Sequence, residues 1–226
     1  MENLFLSYGV KLNSEQIDKF KKYADLLIDF NAKFNLTAIT ERSEIYLKHF
    51  LDSALGVDKV CGQTLIDIGS GGGFPAIPLK IMNDELKVTM VEATGKKCEF
   101  LKTVVSELGL KNVNVVNARA EDLAKDNNYR ESFDVVTARA VARLNTLCEY
   151  CMPFAKVGGS FVAFKGDAAE EAKEAQNAIK TLGGKLEDSF EFELDGAKRT
   201  FVIIKKIKST DKKYPRGHGK ERKNPL

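Results

Sequence analysis

Residues 67–73 read Asp-Ile-Gly-Ser-Gly-Gly-Gly, four glycines in five positions behind a carboxylate. Glycine reaches positive φ and carries no Cβ, so such a turn lets a ligand approach the backbone. A helix starting near Phe74 would add free N–H donors. Turns of this kind hold phosphates, dinucleotides or S-adenosylmethionine. The dinucleotide pattern Gly-x-Gly-x-x-Gly fits Gly69 and Gly71 but ends on Phe74, and no Gly-Lys-Ser/Thr follows to make a phosphate loop. What remains is acid-x-Gly-x-Gly. S-adenosylmethionine has no phosphates, so it needs backbone contact and a carboxylate for its cationic methionine end, which Asp67 is placed to give. A merely structural turn would need one or two glycines.

Other residues extend the site. Glu92 follows Gly69 by 23 positions and ends the next β-rich run, where an acid would bind both ribose hydroxyls. Ala120 and Glu121 lie in the loop after the third run, which passes the adenine ring. Arg139 and Arg143 stand at and beyond the end of the fourth run, where a target base should arrive. Arginine there is free to hold a guanine oxygen, a phosphate or the cofactor, and a salt bridge from Arg139 to Asp67 or Glu121 is the bland alternative. Lys165 ends the fifth run and is expected to hold a phosphate. His49, beside Phe50, reads as a packed or capping histidine rather than a nucleic-acid contact. Cys148 and Cys151 form one pair in a helical run without further ligands, so no metal site is expected.

The elements that would carry these residues follow from periodicity. Residues 13–34 predict an amphipathic helix, with Ile17, Phe20, Ala24, Leu27, Phe30 and Phe34 on one face and a capping box from Asn13 and Gln16. A second helix is expected over 43–59 with Ser43 as its cap. Strands are expected at 64–69, 87–93, 112–118, 132–138, 160–166, 189–194 and 199–206. Helices at 74–82, 95–109, 120–125 and 140–156 separate the first five, which predicts a parallel sheet covered on both faces. A further helix over 167–182, capped by Asp167 and Glu170, leads to a hairpin across 195–198. This is the outline of the class I methyltransferase fold, a Rossmann-like α/β sheet of seven strands, mostly parallel, with an antiparallel strand in its C-terminal hairpin and an N-terminal helical extension. The expected division is a helical extension over 1–60, a catalytic domain over 61–207 and a basic tail over 208–226.

Composition agrees. The 226 residues, 43% hydrophobic and 30% charged, are those of an ordinary globular protein. Four cysteines without framework spacing, and no leader or apolar run of membrane length, predict a reduced cytoplasmic protein away from membranes. The net charge of +3 is uneven: residues 205–226 carry nine Lys/Arg against two acids, leaving −4 for the rest. A basic tail on an acidic body suggests a polyanion partner. Lys212, Lys213, Arg216, Arg222 and Lys223 are the expected RNA contacts there, with Arg143 and Lys165 continuing them at the rim and Gly217 and Gly219 leaving the tail flexible.

Seven ordered stretches together resemble a known family: NLTAI (35–39), KHFLDS (48–53), DIGSGGGFPAIPLK (67–80), ARAEDL (118–123), FDVVTARAVA (133–142), FVAFKG (161–166) and YPRGHGKERKNPL (214–226). They are similar to the glucose-inhibited division protein B family of bacterial enzymes, which methylate the seven-position nitrogen of a guanine in 16S, small-subunit, ribosomal RNA. The family's Phe-Pro-Gly is Phe74-Pro75-Ala76 here, a small-for-small exchange. The resemblance implies S-adenosylmethionine as methyl donor, contacts to it at Gly69, Phe74, Ala120, Glu121 and Arg139, and the ribosomal RNA or small subunit as partner; a monomer is the expectation for the chain itself. The chemistry is compatible. The seven-position nitrogen carries an in-plane lone pair at neutral pH, so positioning should supply most of the rate and no general base is required. Exocyclic-amine methyltransferases show Asn/Asp-Pro-Pro-aromatic after the fourth strand, and cytosine-carbon enzymes show Pro-Cys; TARAVARL (137–144) has neither. Arg139 and Lys165 are then the expected catalytic pair. A small-molecule methyltransferase, which would not need the basic tail, and a ribosome-binding protein with a vestigial cofactor site are the rival readings.

Overall fold

The computed structural model describes residues 1–34, 36–139 and 141–226, and the side chains of all of these but Lys33 and Phe34. The Phe34 side chain of the predicted apolar face, Asn35 of the first family stretch and Ala140 at the predicted start of a helix therefore lie outside what is described.

Seven strands form one sheet: β1 (Thr64–Ile68), β2 (Lys87–Glu92), β3 (Val113–Asn117), β4 (Phe133–Arg139), β5 (Ala155–Lys165), β6 (Gly184–Leu194) and β7 (Ala197–Lys206). Their order is β3-β2-β1-β4-β5-β7-β6. The first five are parallel and β7 runs antiparallel to both β5 and β6. This is the expected class I methyltransferase topology. Asp195 and Gly196 both have positive φ, which turns the β6–β7 hairpin tightly. Strand order reverses between β1 and β4, and such switch points open a crevice at the carboxyl ends of the strands. Both the glycine turn and Arg139 lie at those ends.

Two apolar layers cover the sheet. One contains α5 (Ala76–Met82), α6 (Gly95–Glu107) and the N-terminal helices; the other contains the short α7 (Ala120–Leu123), α8 (Leu144–Cys151), α9 (Ala169–Glu174) and α10 (Gln176–Thr181). In the N-terminal segment, α1 (Glu2–Ser7) precedes α2 (Ser14–Phe34). The α2 helix starts with the predicted box: Gln16 N–H donates to Asn13 at 2.8 Å and Asn13 N–H to Gln16 at 3.0 Å. Its Phe20, Tyr23, Ala24 and Leu27 are buried. Tyr23 Oη donates to the carbonyl of Gly72. The extension thus clamps the glycine turn.

Several predictions of the element map change. Instead of one helix over 43–59 there are α3 (Arg42–Ile45), a π-helical stretch Tyr46–Leu51, α4 (Asp52–Ala54) and a 3-10 turn Val57–Lys59. Glu41, not Ser43, precedes α3, and no side chain caps it. The 167–182 helix breaks at Ala175, and Asp167 pairs with Lys198 at 3.3 Å while Glu170 pairs with Lys173, so no capping box forms. The helix expected over 140–156 runs only as α8 and a short 3-10 turn, Met152–Phe154.

The tail departs most from expectation. It is ordered and docked. Tyr214 is buried, and the Arg130 guanidinium donates to the carbonyls of Ala124, Thr210 and Tyr214 at 2.9–3.0 Å. Glycines 217 and 219 take left-handed φ of 74° and 73° in a defined turn, and α11 (Lys220–Lys223) follows.

Candidate active site

The glycine turn separates into two kinds of position. Gly72 and Gly73 are small because protein is packed against them: an added Cβ would lie 2.9 Å from the Phe74 ring and 2.5 Å from Ile77 respectively. At Gly69 it would lie 2.8 Å from Val141. At Gly71 it would meet nothing closer than 3.8 Å, although φ is 55°. Three of the four glycines thus have packing reasons, contrary to the expectation that structure needs only one or two. The space over Gly71 is open cavity.

That cavity, about 660 Å³, lies at the carboxyl ends of β1, β2 and β4. Of the predicted cofactor residues, Gly69, Gly71, Phe74, Glu92, Ala120, Glu121 and Arg139 line it. Asp67 does not. Its side chain is wholly buried beneath the turn, with Oδ1 accepting from Thr137 Oγ1 at 2.8 Å and Oδ2 without a partner. Burial pushes this carboxyl up to about 7, against the opposing hydrogen bond from Thr137 and the Arg139 charge. Glu92 accepts the N–H of Gly71 at 3.0 Å and that of Thr94 at 2.8 Å, one on each oxygen. It therefore fixes the turn, and each oxygen keeps a lone pair for a hydroxyl.

Arg139 takes neither Asp67 nor Glu121. Its Nη1 pairs with Asp52 at 3.0 Å and reaches the Lys48 carbonyl at 3.2 Å, its Nη2 meets His49 Nδ1 at 3.0 Å, and its plane lies 4.9 Å from the Phe74 ring centre. Asp52 also accepts from Arg199 at 3.1 Å. His49 stacks on Phe74 at 4.4 Å and meets Thr37 Oγ1 at 2.9 Å through Nε2. It is packed, as expected, and also lines the cavity. Burial first, then the Arg139 charge, depresses the imidazole to about 3. The ring is neutral, and both its nitrogens are engaged. Sequence reasoning missed Thr37 and Asp52 here. The signal was present in KHFLDS, where His49 and Asp52 stand three apart on a helical segment.

The remaining predicted residues stand elsewhere. Lys165 Nζ donates to the Ala142 carbonyl at 3.0 Å and pairs with Glu171 at 2.8 Å, which itself accepts the Leu144 N–H at 2.9 Å. That set holds the 141–144 turn, and Lys165 does not line the cavity. Arg143 is exposed and pairs with Glu174. Arg216 clasps the buried Glu149 with bonds of 2.6–3.1 Å, so its charge faces inward and not outward. Lys212, Lys213 and Lys223 are exposed, and Arg222 lines the cavity. Cys148 and Cys151 are buried, and burial pushes both thiols up.

The donor set suits S-adenosylmethionine. The cavity lies within the size range of small-molecule sites, offers open space over a left-handed glycine, and carries a carboxylate with lone pairs to spare. A sequence model described as rRNA small subunit methyltransferase G (GidB) matches residues 16–201. A ribosomal RNA small subunit methyltransferase G of Acetivibrio thermocellus is 49% identical over 223 residues, 97% of this chain and 92% of the relative. One of Leuconostoc citreum is 48% identical, covering 96% and 94%. Among solved structures, M. jannaschii TYW2 in complex with AdoMet superposes with a TM-score of 0.56 at 16% identity, covering 70% of this chain and 76% of that one. A SAM-dependent methyltransferase of Aquifex aeolicus gives 0.52 at 19% identity, covering 73% and 93%.

Proposed function

Because this chain belongs to the rRNA small subunit methyltransferase G family, we propose that it methylates the seven-position ring nitrogen of a guanine in 16S ribosomal RNA, with S-adenosylmethionine as donor. The observation that carries the reading is the cavity at the β1–β4 switch point, floored by Gly71 and flanked by Glu92 and Arg139. When bound, the cofactor supplies a sulfonium methyl group for in-line displacement. Gly71 would admit it to the backbone beside Gly69, Glu92 would accept its ribose hydroxyls, and Ala120 and Glu121 would face its adenine. Arg139, held by Asp52 and His49, orients the base or the cofactor where they meet.

Among the described residues, the histidine of the lining is not set up as a general base. The one imidazole in the lining is engaged at both nitrogens and depressed to about 3. A ring-nitrogen nucleophile needs none. The catalytic role first expected of Lys165 becomes a positioning one, exerted through the 141–144 turn. The enzyme acts as a cytoplasmic monomer on the small subunit or its RNA; no helix among the described residues is long and apolar enough to cross a membrane.

Incubating the protein with S-adenosylmethionine and unmodified small subunits, then mapping nucleosides by mass, should yield 7-methylguanosine. Single-turnover rates should stay level between about pH 6 and 9, because no side chain must lose a proton. A methyl group on an exocyclic amine or a cytosine carbon would overturn the reading.

A further inference from the structure

The C-terminal segment reaches the cavity along α8. Its path is built, not incidental. Arg216 is bound to the buried Glu149, the Gly217 N–H donates to the Glu221 carboxylate, and Thr146 Oγ1 donates to the Glu221 carbonyl at 3.1 Å. Glu221 is wholly buried. Residues 217, 218 and 219 are successively left-handed, with φ of 74°, 57° and 73°, and His218 takes that conformation without being glycine. A non-glycine residue there stores strain, and such strain concentrates at functional sites. The three residues curl the chain back so that Gly219 and Arg222 enter the cavity lining. A Cβ at Gly219 would meet nothing within 4 Å. The left-handed backbone is thus the structural reason for that glycine, not crowding.

The neighbours identify which end of the cavity this is. Tyr150, from α8, lines the same wall, and its hydroxyl lies within electrostatic reach of Arg222, Glu121 and Glu221. Glu121 and Ala120 follow β3, the side assigned above to the adenine. We infer that Gly219 and Arg222 close the adenosine-side wall of the cofactor pocket, with Arg222 contacting the bound adenosine. The assignment rests on the S-adenosylmethionine reading. A guanidinium is planar, weakly hydrated and suited to stacking on an aromatic face, which a purine supplies. The basic C-terminal stretch then serves two tasks, and cofactor affinity depends on it even without RNA.

Calorimetry without RNA tests this, using S-adenosylhomocysteine and 5′-methylthioadenosine, which lacks the amino-acid end. Arg222→Ala should weaken both probes by the same factor, about five- to tenfold. Lys220→Ala, on the exposed face of the same short helix, should leave both unchanged. Arg222→Lys keeps the charge but loses the planar fork, and should weaken binding nearly as much. It also serves as the second variant if alanine perturbs folding by circular dichroism. Wild-type affinity in folded Arg222→Ala and Arg222→Lys would overturn the wall assignment. A loss seen only for RNA binding would overturn it also and make Arg222 a phosphate contact. If the intact protein binds neither probe, the cofactor reading itself fails.

Discussion

At the residue scale, Asp67 is a buried carboxyl with one satisfied and one orphaned oxygen. Its position beneath the turn explains why spacing pointed to it and yet the cavity does not expose it. A carboxyl whose folded pKa lies above its ordinary value holds its proton more tightly when folded. It therefore costs stability as pH rises from about 4 to about 7, and the cost is level above that. The rise to about 7 corresponds to as much as about 4 kcal/mol. Asp67→Asn removes the titration and keeps an acceptor for Thr137. Urea unfolding should show the variant gaining on wild type as pH increases across that window. A difference that stays constant with pH would refute the assignment. His49 acts in the opposite sense: its depressed imidazole loses stability as pH falls below about 6.5, in wild type and variant alike, so it cancels in the comparison. Local chemistry was legible here; long-range pairing was not. Gly71 and Glu92 follow from a glycine's freedom and an acid at a strand end. The partner of Arg139 is 87 positions away, and no spacing rule reaches it.

At the element scale, what repeats in sequence was readable and what depends on tertiary partners was not. The α2 helix declares itself through apolar spacing and a reciprocal cap. Six of the seven strands declare themselves through runs bearing β-branched residues between turns, and β6 through its alternating Phe-Glu-Phe-Glu. Residues 46–51 do not, because a π-helical stretch keeps an ordinary helical composition while presenting His49, Phe50, Leu51 and Asp52, four consecutive positions, to buried surroundings. The tail misleads for a related reason. Gly217 and Gly219 read as flexibility, whereas the fold uses them for fixed left-handed turns, and Arg216 reads as an exposed charge, whereas it neutralises Glu149. The buried carboxylate makes the docking testable. Arg216→Ala leaves Glu149 wholly buried and unpaired, which should cost about 3–5 kcal/mol. Adding Glu149→Gln to that variant should recover a large part of the loss, since a neutral amide needs no counter-charge. A melting temperature unchanged by Arg216→Ala would mean that the clasp contributes nothing to stability.

At the scale of the whole molecule, the charge separation seen in sequence is partly consumed by folding. Of the nine basic residues from 205 onward, Lys206 pairs with Glu131 and Arg216 with Glu149, both within the protein. Arg222 turns toward the cavity. Lys212 and Lys213 remain exposed next to the docked Tyr214, on a surface that folding has already ordered. An ordered cationic surface binds phosphates without the entropy cost of folding a tail onto its partner. Each phosphate it neutralises releases counterions, so RNA affinity should fall steeply with salt. Lys212→Ala and Lys213→Ala should each lower that salt slope by about one where the lysine meets a phosphate. S-adenosylhomocysteine affinity should not change, because neither lysine borders the cavity. Arg222→Ala should do the reverse, weakening the nucleoside while leaving the salt slope near that of wild type. Filter binding of small-subunit RNA over a range of salt, beside calorimetry of the nucleoside, separates the two. Were the double lysine variant to keep the wild-type slope, the exposed end of the chain would be a solvated surface, and RNA recognition would fall to the rim around Arg119 and Lys97 at the cavity mouth.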